Sequence, residues 1–280
     1  MIPLASCTGH ETMTDPTAIL CIDIDGTLID HTECIHPNDR QLLQNMPAHI
    51  QPVLTTGRIL HSARGVLRKN GLFIEQPIPL PGVFMNGGMV CLPHEKIILE
   101  QTFTPALRQR LIGLAIKHPT SAFTFFSLKT VHLINPNPFG RHITDLHYLD
   151  AADTTLQDVP EQIVKVMILE QDEPTLTRIR QETVDWDAEM AYSLDFAYEI
   201  NPRGITKANS LIVLLSAMRI NQTPIFVAGD AENDLPLFSL AARSFAPNTA
   251  HQTVRDKADR IISREPDGIL SPIMQEISQI

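Results

Sequence analysis

The stretch Ala18-Ile19-Leu20-Cys21-Ile22-Asp23-Ile24-Asp25-Gly26-Thr27-Leu28 decides the reading of this chain. Its first five residues form an unbroken apolar run, and Ala18–Ile24 reads as a strand buried on both faces. Two carboxylates on alternate residues leave the end of that run, and a strand projects alternate side chains the same way, so Asp23 and Asp25 share a side while the chain stays extended. Two like charges about 4 Å apart repel by about 4 kcal/mol at an effective dielectric near 20. A fold tolerates the pair when a cation sits between them or one carboxyl holds its proton. Gly26 lets the backbone turn, and Thr27 adds a hydroxyl.

Outward from this stretch, strands alternate with helices. Ile50–Thr55 reads as a second strand, Pro37–Met46 and Ile59–Asn70 as helices, with Gly71 as a helix stop. Val83–Met85 is apolar and precedes Asn86-Gly87-Gly88. The same pattern resumes late in the chain, with a helix over Lys207–Met218, a strand over Ile225–Ala228, a helix over Leu235–Ala242, short strands over Arg243–Ala246 and Arg260–Ser263, and a final helix over Gly268–Ile277. Buried strands alternating with helices imply an α/β fold with a doubly wound, Rossmann-like parallel sheet. Between Met89 and Ile200 the character changes. Ile97–Phe103, Ala122–Leu128, Thr130–Ile134 and Val164–Glu170 are strand-like, Pro105–His118 and Pro174–Val184 read as amphipathic helices, and Asn135–Gly140 is dense in turn residues. The organisation expected is therefore a tail over residues 1–17, a core from 18–86 and 200–280, and an inserted α+β cap over 87–199.

The 280 residues, 43% hydrophobic and 19% charged, fit an ordinary globular protein. A formal net charge of −10, with no dense Lys/Arg run, argues against nucleic acid as a partner but not against a small anionic substrate. Cys7, Cys21, Cys34 and Cys91 lack metal-type spacing and read as reduced thiols, the expectation for a cytoplasmic protein. The polar N-terminal residues lack a basic start followed by a long apolar segment, and no apolar run approaches the roughly 20 residues of a membrane span.

Ligands of doubly wound sheets bind beyond the carboxyl ends of the strands. Three strands here end in polar residues: Ile22 leads to Asp23 and Asp25, Leu54 to Thr55-Thr56-Gly57-Arg58, and Ala228 to Gly229-Asp230 with Asn233-Asp234 just after. Gly204-Ile205-Thr206-Lys207 sets a lysine at a helix start, where the dipole also favours an anion. Each segment alone has a plainer meaning. Asp-x-Asp-Gly also makes a tight turn, though no further oxygen ligands recur as a calcium loop requires. Thr56 serves as a helix N-cap, Lys207 as a solvated side chain, and the Asn233-Asp234 loop as an Asx turn. Their occurrence together, each at a strand or helix end, gathers Asp23, Asp25, Thr56, Lys207, Asp230, Asn233 and Asp234 into one cluster.

That combination resembles the haloacid dehalogenase superfamily of phosphohydrolases, in its Cof-type branch with a cap between the second and third motifs. The likeness runs from about Ile19 to the C-terminus and includes Met85-Asn86-Gly87-Gly88, Glu199-Ile200-Asn201-Pro202-Arg203-Gly204 and Asp267-Gly268. Pro236 and Ser244-Phe245-Ala246-Pro247 depart from the usual pattern without removing a reactive group. The resemblance implies Asp23 as nucleophile, Asp25 as general acid and then base, and Mg²⁺ held through Asp23, the Asp25 carbonyl and Asp230, with Asp234 orienting a metal-bound water or Lys207. It further implies phosphate contacts from Thr56, the Gly57 amide, Lys207 and Asn233. Arg58 has no assigned role. The function implied is hydrolysis of small phosphorylated metabolites, sugar phosphates or phosphorylated cofactors. A phosphohexomutase-type phosphotransferase and a non-catalytic phosphate-binding module are the competing readings. Within the cap, Arg141, His142 and His147 are expected on the outer surface, and Trp186 in the cap core.

Overall fold

The computed structural model describes residues 16–279, so the expected tail lies outside the described residues except for Pro16 and Thr17, whose backbone is hydrogen-bonded to the body. In chain order the strands are β1 (Ala18–Ile22), β2 (Ile50–Thr55), β3 (Gly82–Phe84), β4 (Met89–Leu92), β5 (Lys96–Glu100), β6 (Ala122–Phe126) and β7 (Val131–Ile134), then β8 (Ala152–Asp153), β9 (Lys165–Leu169), β10 (Ala188–Leu194), β11 (Ala197–Pro202), β12 (Ile225–Ala228), β13 (Arg243–Pro247) and β14 (Arg260–Ile262). The helices are α1 (Pro37–Gln44), α2 (Leu60–Lys69), α3 (Pro105–Lys117), α4 (Pro138–Leu146), α5 (Glu173–Thr183), α6 (Lys207–Ala217), α7 (Leu235–Phe238), α8 (Gln252–Arg255) and α9 (Leu270–Ile277).

The first sheet has the order β14-β13-β12-β1-β2-β3-β4-β5. It is parallel from β14 through β3, and β4 and β5 add an antiparallel edge. β1 is buried on both faces because strand alternation divides its residues. Ile19 and Cys21 pack with α6 residues such as Leu211 and Leu214, while Leu20 and Ile22 pack with Val66 and Leu67 of α2 and Ile273 of α9. Pro52 is tolerated within β2 because β3 pairs only with Leu54 and Thr55, so the missing N–H falls outside that ladder.

A division of the chain at residue 87 does not follow the sheets. Met89–Glu100 pairs onto the first sheet through Val83↔Val90 and Val90↔Leu99, so that sheet continues to Glu100. The second sheet, β10-β11-β9-β6-β7-β8, takes the chain from Ala122 to Pro202 and is antiparallel except for β7–β8. One of its faces carries α3 and α5 through Leu111, Leu114, Leu176 and Ile179. The opposite face, with Phe126, Leu133 and Met167, joins the same apolar cluster as Leu20 and Ile22. Trp186 is partly buried against the first of these layers. The turn-dense Asn135–Gly140 conceals a helix start. Asn137 accepts from the Gly140 N–H at 2.7 Å and Pro138 occupies the first turn of α4.

Candidate active site

The register of the parallel strands assembles the site. Ile22 lies opposite Leu54 on β2 and Ala228 on β12, so Asp23, Thr55-Thr56 and Gly229-Asp230 emerge side by side at the carboxyl ends of three adjacent strands. Asp23 donates its backbone N–H to the Ala228 carbonyl at 3.0 Å, and the turn closes where Leu28 donates to the Asp23 carbonyl at 3.1 Å. Gly26 sits at φ +72° with Asp230 directly against it. A Cβ there would fall 2.1 Å from Asp230 Oδ2, so only glycine lets this turn approach the second acidic loop. Thr27 donates to Asp230 Oδ1 at 3.2 Å.

Lys207 is the first residue of α6, fixed there by Thr206, whose hydroxyl caps the Asn209 N–H at 3.1 Å. Its Nζ donates to Asp23 Oδ1 and Asp234 Oδ1, both at 2.7 Å, and the side chain is 1% exposed. The other oxygen of Asp234 accepts the N–H groups of Asp230 and Ala231 at 3.1 and 3.2 Å. Asp23, Asp230 and Asp234 each bring a carboxylate oxygen within 4.8 Å of the others. Burial pushes the Asp23 carboxyl well above its ordinary range. Lys207 pulls the other way, and Asp234, Asp230 and Asp25 repel it upward. Burial and Asp234 push Asp230 up to about 7 against the pull of Lys207. Lys207 titrates above its ordinary value because the two carboxylates outweigh the cost of its burial. Three hard oxygen donors with one cation among them fit a divalent ion of the Mg²⁺ kind.

The Asp25 side chain turns away from this cluster toward Arg58, the residue without a sequence-derived role. Arg58 Nε donates to both carboxylate oxygens at 3.0 and 2.9 Å, and Nη2 to Oδ1 at 2.6 Å. Burial works to raise Asp25, but the charge and hydrogen bonds of Arg58 outweigh it and hold the carboxyl below its ordinary value. Arg58 is itself buried, with further bonds to Ser62 Oγ at 3.1 Å and Glu33 Oε1 at 3.1 Å, and Lys69 approaches Glu33 from outside at 3.0 Å. His147 Nδ1 comes within 3.4 Å of Arg58 Nη2 and its carbonyl accepts from Ser62 Oγ, so His147 faces the site rather than the outer surface. Arg141 and His142 are exposed, and Arg141 pairs with Asp153.

Thr56 accepts the Arg58 N–H at 3.0 Å, which leaves its own O–H free to donate. Asn233 meets neither Lys207 nor Asp23 among the described contacts. Its Nδ2 donates to Asn86 Oδ1 at 3.1 Å, and its own Oδ1 is buried without a partner. Asn86, at φ 57°, also donates to Glu199, which forms an ion pair with Lys165. Sequence reasoning missed Lys165 and the side chain of Glu199. A charged residue on each of two strands 34 positions apart carries no local signal of pairing.

The haloacid dehalogenase-like hydrolase family matches the chain over residues 20–273, and the chain belongs to it. It is 22% identical over 259 residues to the 5-amino-6-(5-phospho-D-ribitylamino)uracil phosphatase YcsE of Bacillus subtilis, covering 91% of this chain and 94% of that one. A 24% identity links it to the chloroplastic endoribonuclease YBEY of Arabidopsis thaliana over 91% of this chain, which spans only 45% of that protein's length. The solved structure of a HAD subclass IIB sugar phosphatase superposes with a TM-score of 0.78 at 18% identity, covering 94% of this chain and all of the other. No helix among the described residues is long and apolar enough to cross a membrane.

Proposed function

We propose that this protein is a Mg²⁺-dependent phosphatase that hydrolyses small phosphorylated metabolites, sugar phosphates or phosphorylated cofactors, through a phosphorylated Asp23. The observation that carries the reading is the position of Lys207, bonded at 2.7 Å to both Asp23 and Asp234 from a helix 184 residues beyond the first carboxylate. A desolvated cation beside a nucleophilic carboxylate serves a reaction in which an anion must approach a phosphate dianion.

Asp23, the Asp25 carbonyl, Asp230 and Asp234 would hold the metal, which when bound supplies charge compensation for the phosphoryl group. Asp23 attacks phosphorus and forms an acyl phosphate as the ester oxygen departs. Asp25 is ionised in its pair with Arg58, so it must take up a proton and leave that pair to protonate the departing oxygen. As a carboxylate it then takes a proton from the water that hydrolyses the acyl phosphate and regenerates Asp23. The salt bridge holds the Asp25 carboxyl on the Arg58 side of the site, apart from the cluster around Lys207. Thr56 donates its free O–H to a phosphoryl oxygen, the Gly57 N–H binds beside it, and Lys207 offsets the charge shared by phosphate and Asp23. Residues of the inserted unit, among them His147, cover the leaving-group side and exclude water.

The relatives named above as phosphatases of a ribitylaminouracil phosphate and of sugar phosphates support this substrate class. A phosphate-release panel of sugar phosphates, nucleotides, pyridoxal phosphate and flavin mononucleotide tests it. Release with Mg²⁺ that stops in EDTA and in D23N is expected. Interconversion of two sugar phosphates without free phosphate would overturn hydrolysis, and silence on the whole panel would overturn catalysis.

A further inference from the structure

The Lys165–Glu199 pair lies outside the reactive cluster, yet it touches the loop that receives the phosphate. Lys165 opens β9 and Glu199 lies in β11, opposite Met167, so the two sit diagonally on one face of the second sheet. That face meets the first sheet, and both side chains are almost fully buried. Buried ion pairs contribute little net stability compared with apolar residues of the same volume. What this pair does that an apolar pair cannot is engage a backbone carbonyl with its positive end and a side-chain amide with its negative end. Lys165 Nζ donates to the Gly57 carbonyl at 2.9 Å, and Glu199 Oε2 accepts from Asn86 Nδ2.

The Gly57 carbonyl belongs to the same peptide unit as the Arg58 N–H, which donates to Thr56 Oγ1 at 3.0 Å. Lys165 thus grips one end of the peptide whose other end sets the Thr56 hydroxyl. With the Arg58 N–H engaged on that oxygen, its single O–H remains available to donate. Gly57 lies directly against the pair: a Cβ there would sit tightly at 3.0 Å from Asn86 Oδ1 and in ordinary contact with Glu199 Oε2 at 3.5 Å and Lys165 Nζ at 3.6 Å. Asn86 in turn accepts from Asn233 at 3.1 Å, so the pair also reaches the loop that carries Asp230 and Asp234.

We infer that Lys165, supported by Glu199, is a positioning residue that aims the Thr56 hydroxyl at the transferring phosphoryl group by fixing the Gly57–Arg58 peptide. The inference rests on the phosphatase reading for the role of Thr56. It predicts that Lys165 acts through Thr56 and therefore that the two substitutions are not additive. The test is a double-mutant cycle of K165M and T56A, read as kcat on p-nitrophenyl phosphate with Mg²⁺ and as affinity for inorganic phosphate. K165M alone should lower kcat by about 10- to 100-fold, as misplacement of a reacting group does. In the T56A background the same change should lower it less than about 3-fold, the residue of an interaction already lost. The variant K165M/E199L, which removes both charges, guards against an unfolded single variant and should show the same non-additivity with an intact thermal transition. Equal effects of K165M with and without Thr56 would overturn the inference while leaving the phosphatase reading in place. Absence of wild-type turnover would overturn that reading instead, and the cycle in phosphate affinity would then decide the coupling by itself.

Discussion

Replacing Lys207 by Met removes one ammonium and keeps nearly its volume, leaving three carboxylates in a buried pocket with no cation among them. The two lost contacts, each 2.7 Å, are attractions of about 6 kcal/mol apiece at an effective dielectric of 20. Asp23, Asp230 and Asp234, within 4.8 Å of one another, then repel by about 3 kcal/mol or more per pair when ionised. Proton uptake and local relaxation absorb much of this, and breaking a buried pair by removing one partner costs about 3–5 kcal/mol in net stability. A chain of this size loses about 2–4 °C per kcal/mol, so K207M should melt about 6–20 °C below wild type in EDTA. Mg²⁺ supplies the missing positive charge to the same oxygens, and it should therefore stabilise K207M more than it stabilises wild type. Urea unfolding followed by circular dichroism, in EDTA and across a Mg²⁺ series, measures both quantities. A loss below about 1 kcal/mol in EDTA, or equal stabilisation of the two proteins by Mg²⁺, would refute the claim that Lys207 is the charge partner of a metal-binding cluster. Turnover by K207M should be lost even where Mg²⁺ restores its stability, because the metal does not replace the donor to Asp23.

Three further outcomes are expected. In EDTA the wild-type protein should lose stability as pH rises toward and through about 7. Asp230 and Asp23 are raised in the folded state, so that state holds more protons than the unfolded chain between pH 4 and 7, and saturating Mg²⁺ should abolish the slope. G26A should impair Mg²⁺ affinity measured by calorimetry together with turnover, since a Cβ at φ +72° would fall 2.1 Å from Asp230 Oδ2; wild-type affinity would contradict the close approach. D39A should lower stability by about 2–4 kcal/mol while leaving kcat unchanged. Asp39 is fully buried and accepts the Ile269 and Leu270 N–H groups at 2.9 and 2.7 Å, so its loss leaves two buried donors unpaired. A change in kcat would connect α1 and α9 to the site.

How much of this was legible depended on whether a feature is written locally. The apolar run Ala18–Ile22 is local, Asp23, Thr56 and Asp230 follow strand ends by one or two positions, and Lys207 opens a helix, so these four stand out without knowledge of their partners. The element over Met89–Glu100 misled because an antiparallel edge and an antiparallel insertion have the same sequence character. Only the pairing of Val83 with Val90 decides to which sheet it belongs. Helix α4 was hidden by Asn135-Pro136-Asn137-Pro138, in which the second Asn-Pro is a cap and first turn rather than a loop.

The buried cations show the limit most clearly. Arg58, Lys165 and Lys207 are all nearly free of solvent, but only Lys207 follows a local signal, a hydroxyl cap at a helix start. Arg58 is buried by Asp25 and Glu33, which precede it by 33 and 25 residues, and Lys165 by Glu199 and Gly57, at separations of 34 and 108. A charged side chain enters a core only where its partner is already placed. Its burial is therefore a property of the assembled sheets, and a linear pattern cannot carry it. The same dependence makes these cations sensitive to how the two sheets meet. Lys165 and His147 come from the inserted unit, while Gly57 and Arg58 come from the core. A substitution that separates the sheets should therefore disturb the Gly57–Arg58 loop through Lys165 before it disturbs Lys207, whose partners Asp23 and Asp234 both lie in loops that follow strands of the first sheet.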